Sequence, residues 1–170
     1  MKMNKYFLIL FIFLSLLTIN CVYADNGEPM DVFGEWTVFR TVQDNKTLCY
    51  IMNIPQSKQS DYERRGEPFF MVIKEAGAKS AEINTSVGFI ISDYVGSIEL
   101  DINNNRFPLL NARDKAWAYN VNDDANIIKS LMKNALFTIY SVSENGKYAM
   151  DIYSLLGFKE AYEAMDEMCK

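Results

Sequence analysis

The chain has 170 residues, with 17 Lys and Arg against 22 Asp and Glu, and it contains no histidine. The missing imidazole removes Ser-His-Asp and Cys-His catalysis, together with the common zinc and copper sites. The acidic balance, a net charge of −5, leaves no basic stripe for a phosphate backbone and disfavours anionic lipid.

Residues 1–24 have the anatomy of a secretory signal. Lys2 and Lys5 lead into an uncharged run from Tyr6 to Ile19, and Val22-Tyr23-Ala24 puts a small residue at a cleavage point. The run is shorter than the roughly 20 apolar residues that span a bilayer. We expect cleavage after Ala24, which leaves 146 of the 170 residues as one domain, 25–170, working outside the cytoplasm. Without Lys2 and Lys5 that domain has 15 basic residues against 22 acidic ones, a net charge of −7 that suits solubility. Two other readings of the leader stay open. One is an uncleaved anchor. The other is a lipoprotein signal on Cys21, although Asn20 stands where such signals want a small residue.

Asp25 to Met30 reads as a polar, flexible lead-in. Strand character then runs from Gly34 to Val42 and from Leu48 to Ile54, around an Asp44-Asn45-Lys46 turn, and predicts a hairpin. Pro55 to Gly66 is polar and charged and reads as an exposed loop. Pro68 to Lys74 is a continuous apolar run, the pattern of a strand buried on both faces. Glu82 to Ile91 is a further strand candidate, broken by Gly88. Ile98-Glu99-Leu100-Asp101-Ile102 alternates cleanly, and Asn103-Asn104-Asn105 turns it into Arg106 to Leu110. Ala116 to Tyr119 is short and apolar.

The period then changes. Asn122-Asp123-Asp124 offers helix caps and first-turn acids, and Ala125, Ile128, Leu131 and Met132 follow at helical spacing. Leu136 to Ser143 and Lys147 to Tyr153 form a second hairpin about Glu144-Asn145-Gly146. The chain closes on a helix whose Phe158, Tyr162, Met165 and Cys169 share one face. Seven to ten short strands with two short helices predict a mainly β antiparallel sandwich, with an open barrel as the other solution.

Cleavage after Ala24 leaves two cysteines, Cys49 and Cys169. An even count in an oxidising compartment reads as one disulfide, closing a loop of about 120 residues. Cys169 on the core side of its helix favours that reading. A pair of buried free thiols remains the alternative. No Cys-x-x-Cys motif is present.

Several constellations invite chemistry and have plainer readings. Asp101 to Arg106 opens like a calcium loop, but Arg106 stands where the loop needs Gly and Ala112 where it needs Glu, so a hairpin is expected. Asp123 and Asp124 fit helix capping better than acid/base or metal work. Arg64-Arg65 reads as a solvated loop, Glu99 and Asp101 as the wet face of a sheet, and Trp36 and Trp117 as core. Asn45-Lys46-Thr47 and Asn84-Thr85-Ser86 match the N-glycosylation pattern, which matters only in a eukaryotic secretory pathway.

Phe33-Gly34-Glu35-Trp36-Thr37-Val38, Cys49-Tyr50, Arg65-Gly66-Glu67-Pro68 to Ile73, Ala116-Trp117-Ala118 ahead of Asp123-Asp124, and Asp151 to Phe158 running on through Ala161 to Cys169 form an ordered series. Over about residues 31–169 the chain resembles the invasion-associated locus B family of secreted Gram-negative proteins. The resemblance implies an immunoglobulin-like β-sandwich, export to the periplasm or outer surface, and in some pathogens a part in host-cell entry, hence virulence. It carries no catalytic residues. Many members have a further Cys shortly after the Trp, where Arg40 stands here, so Cys49 has a different partner in such relatives.

The functional expectation is therefore a non-enzymatic envelope protein with no cofactor and no metal. Its partner would be a protein of the envelope or host surface, and it would meet a membrane only through the leader before cleavage. A periplasmic chaperone-like module that pairs through an exposed edge strand is one alternative. A hydrolase with two carboxylates facing one cleft is another.

Overall fold

The structure, a computed structural model, describes residues 27–62 and 65–170. The leader, with its cleavage after Ala24 and its Cys21, lies outside the described residues, as does Arg64. The elements in chain order are β1 (Glu28–Phe33), β2 (Trp36–Gln43), β3 (Lys46–Asn53), β4 (Ser57–Ser60), β5 (Phe69–Glu75), β6 (Glu82–Ser86), β7 (Ile98–Ile102), β8 (Asn105–Pro108), β9 (Leu110–Ala112), β10 (Lys115–Trp117), α1 (Val121–Leu131), β11 (Leu136–Val142), β12 (Tyr148–Ser154) and α2 (Phe158–Met168). Two antiparallel sheets result, one of order β1-β2-β3-β5-β6-β10-β9 and one of order β4-β12-β11-β7-β8.

Short connections dictate this arrangement. Asp44 and Asn45 (φ 50° and 62°) and Asn103 and Asn104 (φ 53° and 65°) make two-residue turns in the left-handed region, which Asn and Asp tolerate best. The third hairpin uses Glu144-Asn145-Gly146: Gly146 N donates to Ser143 O at 2.9 Å, and Gly146 takes the left-handed position (φ 73°).

Inward side chains alternate along each strand and meet in one core. An aromatic relay crosses it, with ring centroids 6.2 Å apart for Trp36–Phe70, 4.8 Å for Phe70–Phe137 and 4.7 Å for Phe137–Tyr153. The seven-stranded sheet is wider than its partner. Helix α2 fills the difference over β1 to β3, with Phe158 edge-on to Trp36 at 4.9 Å. Lys74 on β5 is tied to Asp166 of the same helix at 2.5 Å.

Two of the sequence motifs interlock at the start of α2. Glu35 N donates to Leu156 O at 3.0 Å, and Trp36 Nε1 donates to Ser154 O at 3.1 Å. Gly157 (φ 84°) lies so close to the β1–β2 turn that a Cβ there would sit 2.0 Å from Phe33 O.

The structure departs from expectation in three segments. Glu28 to Met30 of the predicted flexible lead-in belong to β1, an edge strand held by backbone pairing to β2 rather than by burial, while Asp25 and Asn26 lie outside the described residues. The predicted loop over 55–66 contains β4, which pairs with β12 and is invisible to hydrophobic periodicity because Ser57-Lys58-Gln59-Ser60 buries little. The apolar run of β5 is not buried on both faces: Phe70 and Val72 are buried, whereas Phe69, Met71 and Ile73 face outward and are half-exposed. Strands β1, β4 and β9 bring the total to twelve among the described residues, beyond the seven to ten expected.

Candidate functional site

The outward face of the seven-stranded sheet breaks the rule that a solvated sheet face is polar. Register places one outward row across the whole sheet: Val32, Thr37, Met52, Met71, Asn84, Trp117 and Leu110. A neighbouring row runs Phe39, Tyr50, Ile73 and Glu82, with the Phe39 and Tyr50 rings stacked at 4.8 Å. Phe69 extends the apolar surface beneath the Lys115 ammonium, 5.1 Å from its ring centroid. These two rows carry one charged group, Glu82, at their border. Gly27 packs against the Tyr50 ring, which is buried, and α1 borders the β6 end, but among the described residues no helix or strand lies over Met52, Met71 and Trp117.

At the β6 end the face deepens into a groove of about 480 Å³, lined by Met71, Ile73, Trp117 and Val121 with Glu82, Asn84, Asn120 and Asp124. Helix α1 forms the far wall. Its N-cap is Asn120, not one of the Asn122–Asp124 group, and its Oδ1 accepts from Asn122 N at 3.0 Å and Asp123 N at 3.2 Å. Asp124 accepts the Ile83 N–H of β6 at 2.8 Å and is buried. Burial pushes its carboxyl above the usual carboxylate range, the Ile83 bond partly offsets this, and the nearby Glu82 and Asp123 charges add to the rise. Asp123 turns outward, where its carboxylate accepts from Asn120 Nδ2 at 2.7 Å, away from the Ile83 bond of Asp124.

The edges offer little for strand addition. β1 carries Glu28, Pro29 and Asp31 and a register shift between Pro29 and Asp31. β9 has three residues, β4 has four with Lys58, and β8 has four with Arg106 and Pro108.

The outward face of the five-stranded sheet is mixed: Glu99 and Asp101 share it with Tyr140, Met150, Ile152 and Tyr148. Arg106 bridges the two acids, at 3.1 and 3.5 Å, and lies 5.7 Å over the Tyr140 ring. Asp101 also accepts from Asn104 N at 2.9 Å, which makes the calcium-like segment a hairpin turn. Among the described residues no group of three or more His, Cys, Asp or Glu could hold a metal, and no helix is long and apolar enough to cross a membrane.

Arg65 corrects another expectation. Its side chain is buried rather than solvated: Nη2 donates to Asp151 Oδ2 at 2.6 Å, and the guanidinium stacks 5.5 Å from the Phe89 ring. Asp151 is an inward residue of β12, between Ala149 and Tyr153. An acid in an inward register is the signal that could have found it. Burial pushes the Asp151 carboxyl up, and Arg65 pulls it partly back. Burial also raises the Tyr153 hydroxyl.

Trp36 is core, fully buried. Trp117 is not: 36% exposed, it stands in the outward row. Cys49 and Cys169 are joined by a disulfide across 120 residues of sequence, tying α2 to β3. In the chain-entropy account a loop of that length is worth about 4–5 kcal/mol. Of the two glycosylation patterns, Asn45 is in an exposed turn, whereas Asn84 lies mid-strand on the apolar face.

The described residues thus form a mainly β, two-sheet antiparallel sandwich with two helices and no closed barrel. A crystal structure of invasion associated protein B from Bartonella henselae has a similar fold, with a TM-score of 0.55 and 14% sequence identity, over 81% of this chain and 95% of that one. At that identity the likeness is one of fold. No protein-family model matches the chain, and no curated protein matches it by sequence.

Proposed function

We propose that the protein is an exported, non-enzymatic binding protein of the bacterial envelope that engages a protein partner through the outward face of its seven-stranded sheet. The observation that carries this reading is the uncovered apolar face. A sequence patterned for burial on both sides of β5 leaves Phe69, Met71 and Ile73 without a second layer, and surfaces of this kind mark interaction sites. The leader-like first 24 residues and the Cys49–Cys169 disulfide support export to an oxidising compartment. The fold likeness to an invasion associated protein, together with the ordered motifs, supports a role in contact with host cells. The charged, short and Pro-bearing edges speak against a chaperone that adds strands. The ties on Asp123, Asp124, Glu99 and Asp101 speak against a two-carboxylate hydrolase.

Fractionation of the producing cells with intact-mass analysis tests the export half of the proposal. The expected product begins at Asp25, is released with the periplasm or the medium, and resists alkylation at Cys49 and Cys169 until reduced. A full-length chain held in the cytosol with two free thiols would contradict it.

A further inference from the structure

We infer that the partner presents an amphipathic helix with basic residues beside its apolar stripe, laid in the groove between the outward face of β5 and β6 and the start of α1. The inference rests on the docking reading above and specifies what docks.

Three observations lead there. The first is shape. Met71, Ile73, Trp117 and Val121 form apolar walls on both sides of one channel of about 480 Å³. A helix packed on a sheet is one of the few stable two-layer solutions, and an apolar helix face seated in a groove is a common recognition mode. Strand addition, the other way to join a sheet, is hindered at every edge described. Thioether side chains such as Met52 and Met71 also adapt their shape to a guest.

The second is charge. Glu82 and Asp124 are among the groove's lining residues, Asp124 buried and bonded to Ile83 N, and Asp123 stands beside them in the first turn of α1. Among the described residues none of the three forms an ion pair, and Lys79, in the turn just before β6, reaches none of them. The mutual proximity of these acids adds to the elevation of the Asp124 carboxyl, a sign of local negative potential that geometry already indicates. A cationic flank on the guest would relieve it.

The third concerns self-association. The chain is net negative, −5 overall, so a second copy would bring more acid to this rim instead of base.

The test uses the full exported chain and two Trp-free model peptides of equal length, one patterned Leu/Lys and one Leu/Glu. Trp36 is fully buried and Trp117 is 36% exposed, so acrylamide quenching reports on the groove through Trp117. The Leu/Lys peptide is expected to protect Trp117, and the Leu/Glu peptide is not. Met71→Glu should weaken the Leu/Lys peptide about tenfold, the loss of one central anchor, even though it adds an attracting charge. That sign separates docking from general attraction between a cation and an acidic protein. Glu82→Lys, which leaves the apolar walls intact, should weaken the same peptide without altering the circular dichroism.

Equal protection by both peptides overturns the basic-helix inference and leaves the docking face standing. Protection by neither overturns the inference alone if an apolar dye still binds the wild type and not Met71→Glu. If the dye also fails to bind, the docking reading falls with it. Self-association in sedimentation that Met71→Glu abolishes would assign the face to a second copy and overturn the inference.

Discussion

Arg65 and Asp151 form an ion pair whose side chains are 9% and 1% exposed, set between the two sheets. Removing one member of such a pair leaves a charge in a medium that cannot solvate it, a loss of about 3–5 kcal/mol. Arg65→Ala is therefore expected to lower unfolding stability by that order at neutral pH. The sign with pH follows from the direction of the Asp151 shift. Its carboxyl is raised by burial, so the folded state takes up a proton more readily than the unfolded one, and the group costs stability as pH rises through its folded value. Without Arg65 the carboxyl rises further, so the penalty of Arg65→Ala should shrink as pH falls toward the acid range. Denaturant titrations at neutral and acidic pH check this, and a penalty independent of pH would mean that the pair is not what holds the segment. The buried arginine could not be read from its neighbours, because Arg64-Arg65-Gly66-Glu67 has the composition of a solvated loop. Its partner was closer to legible, since Asp151 occupies an inward place in an alternating strand.

At the scale of elements, the interlock of the Phe33-Gly34-Glu35-Trp36 turn with Ser154 to Phe158 gives two sequence motifs a structural reason. The β1–β2 turn passes over the start of α2 at backbone contact distance, and Gly157 combines a left-handed φ of 84° with no room for a Cβ. Gly157→Ala is expected to destabilise the fold by about 2–4 kcal/mol, measured by thermal or chemical unfolding, with the Trp36 environment disturbed first. A neutral substitution would show that the two elements are free to separate. The hairpins were legible because turn chemistry is local: Asp44-Asn45, Asn103-Asn104 and Glu144-Asn145-Gly146 are where tight turns were expected. The terminal helix was legible from the shared face of Phe158, Met165 and Cys169. β1 and β4 were not, because each is held by backbone hydrogen bonds, β1 to the adjacent β2 and β4 to the sequence-distant β12, and buries little side chain of its own. α1 was found, but its cap was displaced to Asn120, since three adjacent Asn and Asp residues compete for that role on sequence grounds.

At the scale of the molecule, the sandwich has one outer face where Arg106, Glu99 and Asp101 form an ion-pair network among Tyr140, Met150 and Tyr148, and one more continuously apolar outer face centred on Met71. The sequence pattern of β5 already contained this asymmetry, as a strand apolar on both sides. What it could not show is that the described residues cover only one of them, which depends on where α1 and α2 pack. Both helices serve the core, α2 through Cys49, Trp36 and Lys74, and α1 through its buried Ile127, Ile128 and Leu131. We propose that a protein partner covers the apolar face. A photo-crosslinking amino acid placed at Met71, and in a second variant at Tyr148 on the opposite face, tests it most directly in intact producing cells or in their contact with host cells. A discrete crosslinked protein is expected from position 71 and not from position 148. Crosslinks from position 148 alone, or the same products from both positions, would contradict it.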